Sequence, residues 1–387
     1  MFENVVLPYT LKPYQVEAVE AFMKCRHGSV VLPTGTGKTS IGLECMRRAN
    51  CRTAVLVHTE GLLLQWVKNL HEIGVWAGVY YGKKKSLGLV TVCIVNSVVI
   101  NPKVLSRFDF VICDEYHHLG GETFSHLLPL LKAKPYFLGL TSCLQRGDGR
   151  EALLKKVAPI IYTMPIHDAM EKDFITKIRI YTMKASMTNQ ERMYYDRYTK
   201  TIRQCFFSLR TINPARLTKM KNNPLALACL SAMAKRKMLL SDVADKKSKV
   251  HKITSFYPEH ERILVFCESK NSANKIFKYL TKNGIKCGIY HSGLDSEYRR
   301  RALYQWKKNL TQVMVACRCL DEGIDVPQCR IGVIVASGSS NRQWIQRQGR
   351  LLRKRVDNTK GLLFIVYCEG TIESSYSDKL KTIIRTC

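Results

Sequence analysis

Through the first part of the chain, short runs of β-branched and apolar residues alternate with longer stretches whose apolar positions recur at helical spacing. Apolar runs fall at residues 29–32, 53–58, 91–96, 108–113 and 136–140, and helical patterns at 38–48 and 62–71. Runs that are apolar throughout are the mark of strands covered on both faces, as in a parallel sheet carrying crossover helices. The same alternation returns later, with strands expected at 262–267, 287–290, 312–316, 330–336 and 361–367. Between the two blocks, from about 186 to 249, β-type runs vanish and Lys, Arg, Met, Ala and Leu take over, which predicts helices. Asn213-Pro214 and Asn223-Pro224 divide that stretch into pieces, because a proline cannot continue a helix from its N-terminal side. The fold class is therefore α/β, with two tandem parallel-sheet domains at 1–180 and 256–387 joined by a helical segment at 181–255.

Composition sharpens the picture at three points. The 387 residues carry 61 Lys plus Arg against 31 Asp plus Glu, a formal charge of +30. The excess is concentrated, since residues 177–252 hold 18 basic and 4 acidic side chains. Clustered Lys and Arg neutralise phosphates and release counterions, so a polyanionic partner is expected. No apolar run reaches the length of a membrane span and the N-terminus lacks the basic-then-apolar order of a signal peptide, which points to a cytoplasmic setting without a membrane partner. The 15 cysteines are odd in number and many sit inside apolar runs, so they are read as reduced thiols. Without any C-x-x-C pair, no structural metal site is expected.

Two motifs carry chemistry. The 29–32 strand runs into Leu32-Pro33-Thr34-Gly35-Thr36-Gly37-Lys38-Thr39 and then a helical pattern. In this strand–loop–helix context the glycines let backbone N–H groups turn inward on phosphates, Lys38 reaches the β- and γ-phosphates, and Thr39 reaches Mg²⁺. Leu32 stands where the strict pattern wants Gly, and Gly35 compensates from inside the loop. Downstream, the 108–113 strand delivers Asp114-Glu115-Tyr116-His117-His118. Asp114 would hold the metal and Glu115 would orient or deprotonate the attacking water. ATP and Mg²⁺ are the implied ligands.

With these motifs the sequence resembles the superfamily 2 helicases and translocases of the DExH type, along almost the whole chain. Leu11-Lys12-Pro13-Tyr14-Gln15 resembles the family's adenine-reading element, with Gln15 as the base contact. The segments 57–61 (with Thr59 and Gly61), continuing to Gln65-Trp66, and 95–98 (with Asn96 and Ser97) resemble strand-contacting elements. In the second domain, residues 263–266, 290–293 (with His291 and Ser292), 320–327 and 346–353 follow in the family's order. By that resemblance Gly323, Asp325 and Gln346 lie near the nucleotide, and Arg350 and Arg353 act as arginine fingers. His117 with Thr141 and Ser142 forms the element coupling hydrolysis to movement, although Cys143 replaces the usual second Thr. The resemblance implies two RecA-like domains, and the spelling of the motifs is nearest to the branch containing XPB-like translocases, RecG and UvsW-type helicases. Compactness and many cysteines suit a virus or phage.

Three functions follow as alternatives. The first is an ATP-dependent DNA helicase or translocase in replication, recombination or repair, monomeric by default and with no protein partner indicated. The second keeps the motor and makes RNA its substrate. The third is a clamp in which ATP locks a grip on nucleic acid without turnover. Tyr194, Tyr195, Tyr198, Phe206 and Phe207 of the basic segment can either stack on bases or pack as a helical face.

Overall fold

The computed structural model describes residues 1–3, 5–144, 149–211, 214–220, 222–317, 329–335 and 359–375. Its first sheet is built from β1 (His27–Val31), β2 (Thr53–Val57), β3 (Ala77–Tyr81), β4 (Lys84–Lys85), β5 (Val90–Ile94), β6 (Phe110–Asp114), β7 (Tyr136–Thr141) and β8 (Ile160–Thr163). Their order is β4-β3-β5-β2-β6-β7-β1-β8, parallel except for the short β3–β4 hairpin. The second sheet contains β9 (Ile178–Ala185), β10 (Ile263–Cys267), β11 (Cys287–Tyr290), β12 (Val313–Cys317), β13 (Ile331–Val335) and β14 (Gly361–Cys368), in the order β11-β12-β10-β13-β14-β9, all parallel. Two parallel α/β domains, expected from the alternating pattern and of the RecA-like kind that the resemblance implies, are thus present.

Period-two packing explains why both sheets are apolar throughout. Val55, Val57, Phe110, Ile112, Leu138 and Leu140 enter one core beside helices α1 (Pro13–Cys25), α2 (Lys38–Ala49) and α3 (Glu60–Glu72). Their neighbours Ala54, Leu56, Val111, Cys113 and Phe137 enter a second core on the opposite face. Each such Val, Leu or Ile, once fully buried, contributes about 1.5–3 kcal/mol. The shorter helices α4 (Val95–Ile100), α5 (Leu128–Lys132), α6 (Glu151–Val157) and α7 (Ile166–Glu171) complete the first domain.

Where the 91–96 strand was expected to continue, β5 ends at Ile94 and α4 begins at Val95, so Asn96 and Ser97 lie on a helix. A second difference is larger. The expected domain boundary at 180 falls inside β9, whose eight residues all pair with β14 of the second sheet. Its sequence, Ile-Arg-Ile-Tyr-Thr-Met-Lys-Ala, alternates as an edge strand does, and its Arg and Lys read as the start of the basic segment.

The segment itself is helical: α8 (Asn189–Ser208), α9 (Pro214–Lys219), α10 (Pro224–Asp242) and α11 (Ala244–Phe256), followed in the second domain by α12 (Lys270–Lys282) and α13 (Ser296–Lys307). A capping box opens α8, where the Thr188 hydroxyl accepts from Glu191 N and the Glu191 carboxylate accepts from Thr188 N. Both α9 and α10 begin at a proline, and the Asn223 side chain caps α10 by accepting from Ala226 N. Ile202, Cys205, Leu217, Ala226, Cys229 and Ala232 give the segment a small core of its own. Of its aromatics, Tyr195 is buried, with its hydroxyl accepting from Ile372 N at 3.0 Å. Phe206 packs against the small core, Tyr194 and Tyr198 stack on each other, and Phe207 is 87% exposed. Trp306, in the second domain, is wholly buried and donates to Gln312 O.

All thirteen cysteines among the described residues are free thiols, nine of them buried, and burial pushes Cys93 and Cys329 up to about 12. No helix among the described residues is long and apolar enough to cross a membrane.

Packing on β7 is tight enough to test. A Cβ added at Gly139 would stand 2.6 Å from Cδ1 and 2.7 Å from Cγ of Tyr116, the residue that follows Glu115. Gly139→Ala is therefore expected to cost about 1–3 kcal/mol in chemical denaturation, since the ring has no flexible end to move aside.

Candidate active site

Four parallel strands bring the sequence motifs to one edge. Val31 is level with Thr141 across β1 and β7, Asp114 with Leu140 across β6 and β7, and Cys113 with Leu56 across β6 and β2. The chain leaves all four strands at their carboxyl ends, so Leu32–Thr39, His58–Thr59, Asp114–Glu115 and Thr141–Ser142 emerge side by side. That is where open α/β sheets bind ligands.

The loop after β1 is held by its own backbone. Thr36 Oγ1 donates to Pro33 O at 2.7 Å, and Lys38 Nζ donates to Leu32 O at 3.1 Å. Gly35 and Gly37 have φ of +90° and +77°, the left-handed region that glycine enters without a Cβ clash. At Gly37 a Cβ would also stand 2.5 Å from Gln15 Nε2. Gln15 is buried against this loop: its Nε2 donates to Thr36 O at 2.9 Å and its Oε1 accepts from Lys12 N at 2.8 Å, while Tyr14 Oη donates to the same Thr36 O at 2.7 Å. Gln15, expected as a base contact, is also a strut of the loop, its carboxamide joining Thr36 O to Lys12 N.

Asp114 is 7% exposed. Its Oδ2 accepts from Trp66 Nε1 at 2.9 Å and its Oδ1 from Glu115 N at 3.0 Å. Burial pushes the carboxyl above its ordinary range, against the pull of the Trp66 donor, the Lys38 charge and the Glu115 amide. Glu115 takes φ +51°, a left-handed conformation that costs a non-glycine residue about 1–3 kcal/mol and that clusters at functional sites. Its Oε2 lies 3.3 Å from His117 Nδ1.

His117 Nδ1 lies 2.9 Å from Thr141 Oγ1, which donates to Cys143 O at 3.0 Å and accepts from Cys143 N at 3.3 Å. His117 Nδ1 faces two oxygens, Thr141 Oγ1 and Glu115 Oε2, an arrangement suited to a proton on that nitrogen. What Thr141 receives from residue 143 comes through the backbone, which Cys supplies as well as Thr. The orphaned atoms fit a ligand: Thr34 Oγ1 and Ser142 Oγ are buried and bond to no described residue. Together with the Lys38 ammonium and the Asp114 carboxylate, they suit a nucleotide triphosphate carrying Mg²⁺.

The expected strand contacts divide. Thr59 caps α3 by accepting from Leu62 N, and Gly61 and Asn96 are exposed. Ser97 is turned inward, its hydroxyl accepting from Gly82 N at 3.3 Å. In the second domain His291 is buried, with Nδ1 accepting from Gly293 N at 3.1 Å, so Nε2 carries the proton and faces Asn274 Oδ1 at 3.2 Å. Burial and the nearby Lys270 hold His291 below the usual histidine range, and Ser292 is exposed beside it. Gly323, Asp325, Gln346, Arg350 and Arg353 lie outside the described residues. Trp66, which sequence motifs assign only to a strand-contacting stretch, bonds to the Asp114 carboxylate. No local signal distinguishes such a tryptophan from a core residue.

Residues 8–146 match the family model for the type III restriction enzyme res subunit, and residues 245–355 that for the helicase conserved C-terminal domain. Over 390 residues the chain is 31% identical to the DNA 3'-5' translocase XPB2 of Sulfurisphaera tokodaii, covering 96% of this chain and 86% of that one. It is 25% identical to the DNA 3'-5' helicase XPB of Mycobacterium tuberculosis, over 95% of this chain and 62% of the relative. The fold is similar to that of the Pyrococcus furiosus Hef helicase domain, at a TM-score of 0.61 and 17% identity over 97% and 99% of the two chains. The helicase C-terminal family model, following the res-subunit model in the same chain, and a 31% match to an XPB translocase over nearly the whole of both chains show that the chain belongs to the superfamily 2 helicases, as a relative of XPB.

Proposed function

We propose that the protein is an ATP-driven DNA translocase or helicase that remodels duplex or branched DNA. The observation that carries this reading is the shared edge at which Lys38, the Asp114–Glu115 pair and the His117–Thr141 bond meet. Loop amides from Thr34 to Thr39 and the Lys38 ammonium bind the phosphates, with Gln15 bracing the loop from beneath. Thr39 and Asp114 would hold Mg²⁺, which when bound would neutralise charge on the transferred phosphoryl group. Glu115 orients water, and its contact with His117 links it to Thr141 and Ser142 on the neighbouring strand. Arg350 and Arg353 of the second domain complete the charge stabilisation, with Gly323, Asp325 and Gln346 near the nucleotide. Thr59, Gly61, Asn96 and Ser292 contact nucleic-acid backbone, with the buried His291 bracing the turn that carries Ser292, so that closing and opening of the two domains over ATP ratchets them along a strand. DNA, rather than RNA, is the substrate by analogy with the XPB relatives.

Steady-state ATP hydrolysis, alone and with single-stranded, duplex and branched DNA or an RNA duplex, tests this. DNA is expected to stimulate hydrolysis more than RNA. DNA affinity should fall by about 10³-fold or more between roughly 50 and 200 mM salt, as several neutralised phosphates require. Equal stimulation by RNA would move the substrate assignment, and binding without hydrolysis would favour an ATP-locked clamp.

A further inference from the structure

The Trp66 side chain touches more of the site than any sequence motif assigns to it. It is carried by α3, is 1% exposed, and its single N–H donates to Asp114 Oδ2 at 2.9 Å from 48 residues away. The far edge of the same ring lies over α2, the helix that begins with Lys38 and Thr39: a Cβ at Gly42 would stand 2.8 Å from Trp66 Cη2. One rigid indole therefore sets the spacing between the helix carrying the phosphate-loop lysine and the carboxylate expected to hold Mg²⁺.

The remaining partners of that carboxylate are few. Glu115 N occupies one lone pair of Oδ1, and Lys38 acts on the group as a charge without a hydrogen bond to it. A carboxylate has about four acceptor positions, so two donors leave places for a metal or its water while fixing the carboxylate plane. Without the indole donor, Oδ2 would be a buried oxygen free to rotate with the side chain, and the plane would be set by Glu115 N alone. Core packing by itself asks only for a ring of this size. It does not ask for the N–H to end on the acid of the DEYH turn.

We propose that Trp66 is a positioning residue for Asp114: its N–H locks the carboxylate in the orientation that accepts Mg²⁺ with the nucleotide. The inference deepens the nucleotide-site reading above and rests on it. Loss of a partner that orients a metal ligand typically weakens metal affinity by about 10- to 100-fold.

The test uses the full chain with 3-benzothienylalanine at position 66, which keeps the bicyclic shape and replaces N–H by sulfur, alongside Trp66→Phe. Affinity for a fluorescent ATP analogue is measured across a Mg²⁺ titration, and hydrolysis over the same range. The expected result is unchanged analogue affinity without Mg²⁺ and a Mg²⁺ half-saturation raised about 10- to 100-fold. Leu63→Ala, which thins the same buried face of α3 but leaves the N–H in place, should lower thermal stability and keep the Mg²⁺ half-point of the unchanged protein. An unchanged Mg²⁺ half-point in the benzothienyl variant would reduce Trp66 to packing and overturn the inference while the nucleotide-site reading stands. No Mg²⁺-dependent nucleotide binding in the unchanged protein would overturn that reading, and the inference with it.

Discussion

Glu115→Gln is expected to lower kcat for ATP hydrolysis by about 10²- to 10⁴-fold, the usual contribution of a positioned general base, while nucleotide affinity stays close to that of the unchanged protein. The substitution is nearly isosteric and keeps an oxygen for His117 Nδ1, which lies 3.3 Å from Glu115 Oε2. What it removes is the charge. The residue's left-handed backbone, φ +51°, turns the chain sharply at the end of β6, and the amide that donates to Asp114 Oδ1 belongs to the same residue. Those backbone features survive the exchange, so the variant isolates the carboxylate. Lys38→Ala should differ in kind, losing nucleotide affinity because an ammonium aimed at the phosphates is gone. Turnover within severalfold of normal in Glu115→Gln, measured with saturating DNA, would leave Glu115 only a turn-forming role.

The largest expected effect on stability lies between the basic segment and the second sheet. Lys246 of α11 and Glu373 beyond β14 are each 1% exposed, and Lys246 Nζ donates to both carboxylate oxygens at 2.8 Å. Cys368 N donates to the same carboxylate at 2.9 Å. Lys246→Met strands a buried carboxylate and is expected to cost about 3–5 kcal/mol. For a domain of this size the melting temperature should then fall by about 10 °C or more. Replacing both partners, Lys246→Met with Glu373→Leu, should recover most of the loss, because an apolar pair of similar volume leaves no charge to desolvate. Calorimetry on the three variants reads both. Equal losses in the single and double replacements would show that the site depends on shape alone.

This pair anchors the basic segment to the second sheet, and it does not act alone. Arg192 of α8 donates to Glu369 O and Gly370 O, and Tyr195 Oη accepts from Ile372 N. The loop following β14 is thus gripped from both α8 and α11, while Lys237 of α10 pairs with Glu268 at the end of β10. By these contacts the basic helices are fastened to the second domain, so a grip on nucleic acid made by them would travel with that domain.

Much of the candidate site is written locally. Strand, glycine loop and helix follow one another within residues 27–49, and an apolar strand ends in Asp114-Glu115 within six residues, so neighbours along the chain reveal them. The alternation of runs also reports two parallel sheets, because a strand buried on both faces must be apolar at every position. Lys38, Asp114 and Glu115 were recognisable for that reason.

Other features depend on residues distant in sequence, and the tertiary structure alone decided them. The Trp66 indole meets Asp114 across 48 positions, and Lys246 meets Glu373 across 127. The strand at Ile178–Ala185 belongs to the second sheet because β14, nearly two hundred residues later, offers it an edge. Ser97 faces Gly82 and Gln15 braces Thr36 for the same kind of reason. A motif fixes which chemical groups are available along a few consecutive residues. Which buried donor ends on which acceptor is fixed only when packing brings the elements together and each desolvated polar atom must find a partner.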